Sequence, residues 1–215
     1  MKHLSLSQQA YESIKQKIVS LELAPGAVIN ETKLREELNL SRTPIREALQ
    51  RLAQEKLILI APRRGMFVSE ISITDLQKLF EARLVLEPFA ARHAAQRGTV
   101  HHWSQMEAAL ATAPINNENT DNEKLIAIDE TCHQIIYEAA DNPFLCDVLR
   151  TNYVLSLRLW HFSLASIGNM QGVIQEHRVI MGALKSKDAD EAARLMKNHI
   201  HTFHKELQTV LGGKI

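Results

Sequence analysis

Ser41-Arg42-Thr43-Pro44-Ile45-Arg46-Glu47-Ala48-Leu49-Gln50-Arg51-Leu52 is the stretch that decides the fold of this chain. Ile45, Leu49 and Leu52 recur at i, i+4 and i+7, the apolar stripe of a helix. Arg42 and Arg46 lie one turn apart near its N-terminal end, where nothing apolar competes with them. Ser41 or Thr43 can cap the free backbone N–H groups, and Pro44 in the first turn costs no helical hydrogen bond. A short helix that opens with Arg, Thr and Arg suits base edges and phosphates in a major groove. Taken alone, a few arginines on a helix are more often a solvated face. The flanking sequence reverses those odds.

Upstream, Asn30 can cap a segment with Leu34 and Leu38 on one face that ends near Asn39, so two brief helices meet at a tight turn. Before it, Leu6, Ala10, Tyr11, Ile14, Ile18 and Leu21 mark another amphipathic helix, stopped by Pro25-Gly26. Downstream, Leu57–Ala61 and Met66–Val68 flank Pro62-Arg63-Arg64-Gly65, the pattern of a β-hairpin with a basic tip. Three helices and such a hairpin describe a winged helix-turn-helix. Residues 1–70 hold 11 Lys+Arg and 8 Asp+Glu, and the remainder 14 and 17, so a net charge of zero hides a basic front and an acidic rear. A bias this small makes affinity depend on placed contacts and dimer symmetry rather than on bulk attraction.

The run from Leu34 to Val68, with its Ser-Arg-Thr-Pro-Ile-Arg-Glu-Ala-Leu core and its Arg-Gly before Phe67-Val68, resembles the winged-helix domain of GntR-type transcription regulators. The resemblance implies double-stranded DNA as the partner, with base or phosphate contacts from Arg42 and Arg46, and with Gly65 letting the wing approach. Ser41 and Thr43 at the helix start and Arg64 at the wing tip complete the candidate DNA-binding set. Lys56 departs from the family pattern, which usually has Gly before the first wing strand. A positive φ there would strain a lysine.

Composition bounds the rest. A chain with 45% hydrophobic and 23% charged residues is globular rather than disordered. Met1–Gln9 has no apolar signal core, and the longest apolar run, Leu57–Ala61, is far short of a membrane span. Cys132 and Cys146 imply no disulfide framework, which fits the cytoplasm, and they read as buried thiols. The boundary falls near Glu70–Thr74, giving a DNA-binding domain at 1–70, a linker at 71–73 and an all-helical domain at 74–215. Ser72 and Asp75 start a long helix that runs to about Arg97 and is closed by Gly98. Its apolar side is Leu76, Leu79, Phe80, Leu84 and Leu86–Ala90, and Pro88 predicts a kink near Leu84. Periodicity then predicts helices over roughly His101–Ala113, Glu123–Ala140, Pro143–Ser166, Met170–Lys187 and Ala189–Leu211, with Gly168 marking one break. The expected fold is mainly α, a winged helix-turn-helix followed by an all-α six-helix ligand-binding bundle.

Asp129 and His133, at i and i+4, share one helix face. An isolated pair of this kind is more often a surface ion pair. The segment Glu176-His177-Arg178, continuing through Ala183, Asp188 and Ala192 to His199, resembles the C-terminal ligand-sensing domain of the FadR subgroup of GntR regulators. In that subgroup a His near the start of the penultimate helix and a second one 22 residues later, the interval from 177 to 199 here, join an Asp-x-x-x-His pair around one metal. The resemblance therefore implies Asp129, His133, His177 and His199 as ligands of a divalent transition metal: zinc first, with nickel, manganese or iron as alternatives. Of the ten histidines, His3, His101, His102 and His161 have no partner spacing, and His201 and His204 fall outside the pattern.

One carboxylate and three imidazoles leave coordination positions for water or a ligand carboxylate. Arg83 interrupts the apolar face of the first rear helix, and a buried Arg needs an anionic partner. Glu87 one turn on is one candidate. The family resemblance, which places an Arg at this position in the effector pocket, implies another, a small carboxylate effector; Arg150 and Arg158 are weaker candidates for that contact. A homodimer on a palindromic operator is expected, because one winged helix reads only a short half-site. Repression relieved by ligand is the commoner family behaviour. Two other classes compete: a metal-sensing regulator with no organic effector, and a metal-dependent helical-bundle enzyme. Against the enzyme, Glu130-x-x-His133 occurs once where a di-iron bundle needs two such motifs, and no nucleophile motif or phosphate loop is present.

Overall fold

The structure, a computed structural model, describes residues 4–114, 122–163 and 170–212. Burial of one stripe on each of two short helices organises its N-terminal part. Ala10, Ile14 and Ile18 of α1 (Leu6–Val19) and Ile45, Leu49 and Leu52 of α3 (Arg42–Gln54) are fully buried, and α1 packs against α3. Each fully buried aliphatic side chain contributes about 1.5–3 kcal/mol over an exposed one. The seam therefore fixes which face of α3 looks outward. Between them α2 (Glu31–Leu38) starts on Asn30, whose side-chain oxygen accepts from the Lys33 N–H at 3.0 Å, and ends on Asn39 at φ 50°. Ser41 takes the N-cap position of α3 but makes no side-chain cap bond, so the capping expected of it is absent.

The first helix also stops earlier than Pro25-Gly26 implied. Ser20 closes it and Leu21 turns left-handed at φ 63°. The chain so freed runs beside the wing. Gly26 N–H donates to Val68 O at 3.0 Å, Val68 N–H to Ala27 O at 2.9 Å and Ile29 N–H to Met66 O at 2.9 Å. The wing itself is β1 (Ile58–Ala61) antiparallel to β2 (Gly65–Val68), with Ile58 opposite Val68 and Ala61 opposite Gly65. Val28 bridges to Phe67 and gives the hairpin a third edge, too short to announce itself by alternation. At the tip Arg64 N–H donates to Ala61 O at 3.0 Å, Pro62 occupies the second turn position, and Arg63 and Gly65 have φ of 62° and 105°. Only Gly accepts such a φ without cost.

Among the described residues six helices follow: α4 (Ile73–Arg97), α5 (Val100–Ala111), α6 (Asn122–Ala139), α7 (Pro143–Ser163), α8 (Gln171–Lys185) and α9 (Ala189–Gly212). The fold is mainly α, a winged helix-turn-helix followed by an all-helical bundle. By backbone contacts the chain divides into Met1–Ile73 with Leu157–Phe162, and Thr74–Ser156 with Ser163–Ile215. In the second unit α5 packs on α6 and α8, and α8 packs on α6 and α9. The expected end of α7 at Ser166 and the break at Gly168 lie outside the described residues. Among the described residues no helix is long and apolar enough to cross a membrane.

The ends of these helices have local causes. Asn142 accepts from Leu145 N–H at 3.2 Å with Pro143 at the first helical position, and Asp188 accepts from Glu191 N–H at 3.0 Å. A Cβ on Gly98 would stand 2.1 Å from the Trp103 ring and 2.6 Å from Ala94 O, which is why the α4–α5 corner needs glycine. Helix α4 continues across Pro88. Its buried face differs from the apolar side expected of it. Leu76, Phe80, Arg83, Glu87, Ala90, Ala91 and Ala94 are buried, whereas Leu84 and Leu86 are half-buried and Phe89 is 48% exposed. Arg83 interrupts the buried face as its sequence position implied, and Glu87 joins it there.

Lys56 adopts φ 63° at the end of α3, with its N–H on Ala53 O at 3.1 Å and Leu57 N–H on Leu52 O at 2.9 Å. These bonds form a Schellman motif whose left-handed residue is ordinarily Gly. A left-handed L-residue costs about 1–2 kcal/mol, offset in part by the greater entropy that Gly loses on folding. Lys56→Gly should therefore raise stability by roughly 0.5–1 kcal/mol, read as a higher urea midpoint. An unchanged or lower midpoint would show that the motif carries no strain.

Candidate metal centre and DNA-facing helix

Asp129 and His133 project from one face of α6, His177 from α8 and His199 from α9, and all four are buried. One donor atom from each lies within 4.8 Å of every other. His177 Nε2 is 2.6 Å from Asp129 Oδ1, His133 Nε2 is 3.1 Å from His199 Nε2, and Asp129 Oδ1 is 3.5 Å from His199 Nε2 and 3.8 Å from His133 Nε2. Bonds of about 2.1 Å to one metal set neighbouring donors about 3.0 Å apart in an octahedron and about 3.4 Å apart in a tetrahedron. The four distances, from 2.6 to 3.8 Å, bracket both values. His201 and His204 stand outside the cluster; the His204 ring stacks on Phe80 with centroids 4.5 Å apart. His102 belongs to a cap, its Nδ1 accepting from Thr99 N–H at 3.1 Å. His3 lies outside the described residues.

Acids and hydroxyls surround these donors. His199 Nδ1 is 2.7 Å from Glu176 Oε2, and the Tyr153 hydroxyl donates to Asp129 Oδ2 at 2.6 Å. His133 Nδ1 is 2.8 Å from Glu87 Oε2 and 3.3 Å from the Tyr137 hydroxyl, although Glu87 Oε2 has no well-aligned donor. With Nδ1 of His133 and of His199 turned to acceptors, their Nε2 lone pairs would face each other at 3.1 Å. Such an arrangement needs a cation or a proton between them. The His199 ring is flanked by two carboxylates, Asp129 and Glu176. Burial alone would lower its pKa, but bonds to Asp129 and Glu176 outweigh burial and raise it to about 9. Burial and the neighbouring His199 push His177 down to about 4. Asp129 is held well below the ordinary carboxylate range: burial opposes this, and His133 and His177 overcome it.

Arg83 is buried and pairs with Glu87, the intrahelical alternative, through Nε. Its guanidinium lies 5.2 Å from the Tyr153 ring centroid, 5.6 Å from Phe80 and 5.9 Å from Phe203, and among the described residues Nη1 has no acceptor. Burial would raise the Glu87 pKa, yet Arg83 and then His133 bring it from 4.5 to about 2. Two weaker candidates are engaged elsewhere. Arg150 donates to Gln134 at 2.9 Å and Glu138 at 2.7 Å, and Arg158 donates to Ser69 O at 2.6 Å. Sequence reasoning missed Glu176, Tyr137 and Tyr153. Only Glu176, adjacent to His177, left a signal.

In the first unit Ser41, Arg42, Thr43 and Arg46 are exposed on α3, and Pro44, Ile45, Ala48 and Leu49 are buried behind them. Arg64 and Gly65 are exposed at the wing tip. One contact was not anticipated: Arg46 Nε donates to Glu31 Oε2 at 3.0 Å, and Arg42 Nε lies 3.8 Å from the same oxygen.

A winged helix-turn-helix followed by a helical bundle with a buried acid–imidazole cluster is the architecture of a DNA-binding regulator. Residues 6–68 match the model of the gntR family of bacterial regulatory proteins, and residues 78–202 match the FCD domain. The chain belongs to the GntR family of DNA-binding transcriptional regulators, in the group that carries an FCD effector domain. It is 27% identical over 205 residues to the HTH-type transcriptional repressor RspR of Escherichia coli K12, covering 95% of this chain and 90% of RspR. It is 26% identical to the HTH-type transcriptional regulator McbR of the same strain, covering 96% of each. The solved structure of E. coli McbR/YncC superposes with a TM-score of 0.85 at 24% identity over 96% of this chain and 99% of that one. A Rhodococcus sp. RHA1 regulator gives 0.75 at 19% over 96% and 97%. These relatives are regulators and not enzymes.

The Arg83–Glu87 pair carries two expectations. Arg83→Met strands a buried carboxylate and should cost about 3–5 kcal/mol, much of it recovered in Arg83→Met/Glu87→Met. The ionised Glu87 contributes stability that is complete above pH 4.5 and is lost as the pH falls toward 2. Urea unfolding should show the gap between wild type and the double mutant moving against the wild type across that interval. A gap that does not vary with pH would mean that Glu87 is not held ionised.

Proposed function

We propose that this protein is a dimeric repressor that reads a palindromic operator and answers to a small carboxylate in a metal-containing FCD domain. One observation supports the metal above all: two Nε2 atoms face each other at 3.1 Å in a buried cluster that also holds Asp129 and His177. Asp129, His133, His177 and His199 would hold a divalent transition ion, with zinc the first choice for three imidazoles and a carboxylate. When bound, the ion supplies positive charge and open positions for water or an effector carboxylate.

The protein's own groups do the rest. Glu176 orients His199, the Tyr153 hydroxyl holds the second oxygen of Asp129, and Glu87 and Tyr137 flank Nδ1 of His133. Such partners set the tautomer and the aim of a ligating ring. Arg83 keeps Nη1 for an anion, which supports a carboxylate effector over a metal acting as the only signal. In the first unit Arg42, Thr43 and Arg46 on α3 enter the major groove. Ser41 sits at the helix start, and Arg64 and Gly65 on the wing reach the neighbouring backbone or minor groove. The relative RspR is named a repressor, which supports that sign here. Exposed Val85, Phe89, Phe144 and Val148 offer apolar surface to a second copy. Action is expected in the cytoplasm.

Elemental analysis should find one equivalent of metal, and His177→Ala/His199→Ala should lose it. Metal retained in the double mutant would refute the quartet. Because ligating imidazoles must be neutral, occupancy should fall as the pH is lowered. Small carboxylic acids should raise Tm in the metal-loaded protein and fail to do so after chelation. A rise indifferent to chelator would separate effector from metal. Arg46→Ala should abolish selection of a sequence-specific site from random duplexes while the protein stays folded and dimeric by light scattering. Unchanged selection would remove α3 as the reading helix.

A further inference from the structure

The Glu31 carboxylate belongs to neither the core nor the metal centre. It is the first residue of α2, directly after the Asn30 cap, and its side chain reaches back to α3. Oε2 accepts from Arg46 Nε at 3.0 Å and Oε1 from Arg46 Nη2 at 3.5 Å, while Arg42 Nε stands 3.8 Å from Oε2. Side-chain exposure is 26% for Glu31 against 64% for Arg42 and 50% for Arg46. The acid is tucked between two arginines that face outward. It holds Arg46 side-on, through the Nε and Nη2 edge, and so leaves the Nη1 and Nη2 end of the fork to donate outward. That end suits a bidentate bond to guanine O6 and N7, or to a phosphate.

We propose that Glu31 is a specificity-determining positioning residue of the DNA interface: it orients Arg46, and more loosely Arg42, for base recognition and offsets their charge toward DNA of arbitrary sequence. The proposal rests on the reading of α3 as the DNA-contacting helix. Two effects follow from one carboxylate. Orientation restricts a side chain with many rotamers, which favours the one geometry that a base edge rewards. Negative charge beside two cations weakens attraction to any phosphate backbone. Removing Glu31 should therefore move specific and non-specific binding in opposite directions. A residue that only supported the fold would weaken both.

The test uses the full-length protein and two probes: the duplex that wild type selects from a random-sequence pool, and an unselected random duplex of equal length. By fluorescence anisotropy, Glu31→Ala should bind the random duplex about threefold more tightly, with a steeper salt dependence. It should bind the selected duplex more weakly, so that the ratio of the two affinities falls about tenfold or more. Glu31→Gln keeps an acceptor and the size of the side chain without the charge. It should retain part of the discrimination while showing the same gain on random DNA. Thermal melts confirm that each variant is folded, and Glu31→Gln carries the test if Glu31→Ala is not. An unchanged affinity ratio, or a parallel loss on both duplexes in folded variants, overturns the role of Glu31. Arg46→Ala separates the two readings. If that variant still selects the wild-type sequence, the reading helix itself is misassigned. If it loses selection while the Glu31 variants keep theirs, only the positioning role fails.

Discussion

The buried ion pair between Arg83 and Glu87 is the constraint on which the second unit depends. An unpaired carboxylate in a protein interior costs several kcal/mol, so Glu87 can stand there only beside a cation. Arg83, one turn back on the same helix, supplies it, sheathed by the rings of Phe80, Tyr153 and Phe203. The pair then sets the environment of the next group inward. Glu87 faces Nδ1 of His133, whose Nε2 faces His199, and the cluster closes through Asp129 and His177. The polar chain runs from α4 to α9 through the core of the second unit. Half-satisfied networks of this kind are costly. The groups left over, Arg83 Nη1, Glu87 Oε2 and His177 Nδ1, are the places where the network is incomplete among the described residues.

Much of this could be read in the residues. Ile45, Leu49 and Leu52 lie on one face of α3 because periodicity and burial are the same fact seen twice, and the exposed arginines follow from it. The six rear helices were legible for a similar reason: caps such as Asn142 and Asp188 are local chemistry that a sequence displays. The quartet itself came from resemblance, since nothing in the spacing of Asp129 and His177 says that α6 and α8 meet. What stayed hidden was mostly tertiary. The wing's third edge at Ala27–Ile29 is held by backbone bonds that carry no side-chain signature. On α4 the place of Arg83 on the buried face was legible as an interruption of the apolar pattern, whereas the half-burial of Leu84 and Leu86 and the exposure of Phe89 were not. Glu31 and Arg46 lie 15 residues apart, on different helices, and only the fold brings them together.

The two candidate sites share one arrangement. In each, a carboxylate engages the side of a nitrogen group that does not face the ligand. Glu176 takes Nδ1 of His199 and leaves Nε2 to the centre, and Glu31 takes the Nε edge of Arg46 and leaves the fork's end to solvent. The physical logic is the same although the ligands are opposite in charge. An imidazole has two nitrogens and a guanidinium has five N–H groups, so each can use one edge for support and another for recognition. The supporting acid removes rotamer freedom before the ligand arrives.

Its charge acts differently in the two places. Behind an imidazole the acid raises ligand basicity and favours a bound cation, whereas behind an arginine it subtracts from the attraction to phosphate. The first device strengthens binding outright. The second weakens indiscriminate binding and leaves discrimination to geometry, which suits a protein whose first 70 residues carry a modest excess of three positive charges. A regulator with so little bulk attraction to DNA has to recognise its site through a few well-held contacts, and an acid behind the arginine proposed to read it is one way to hold them.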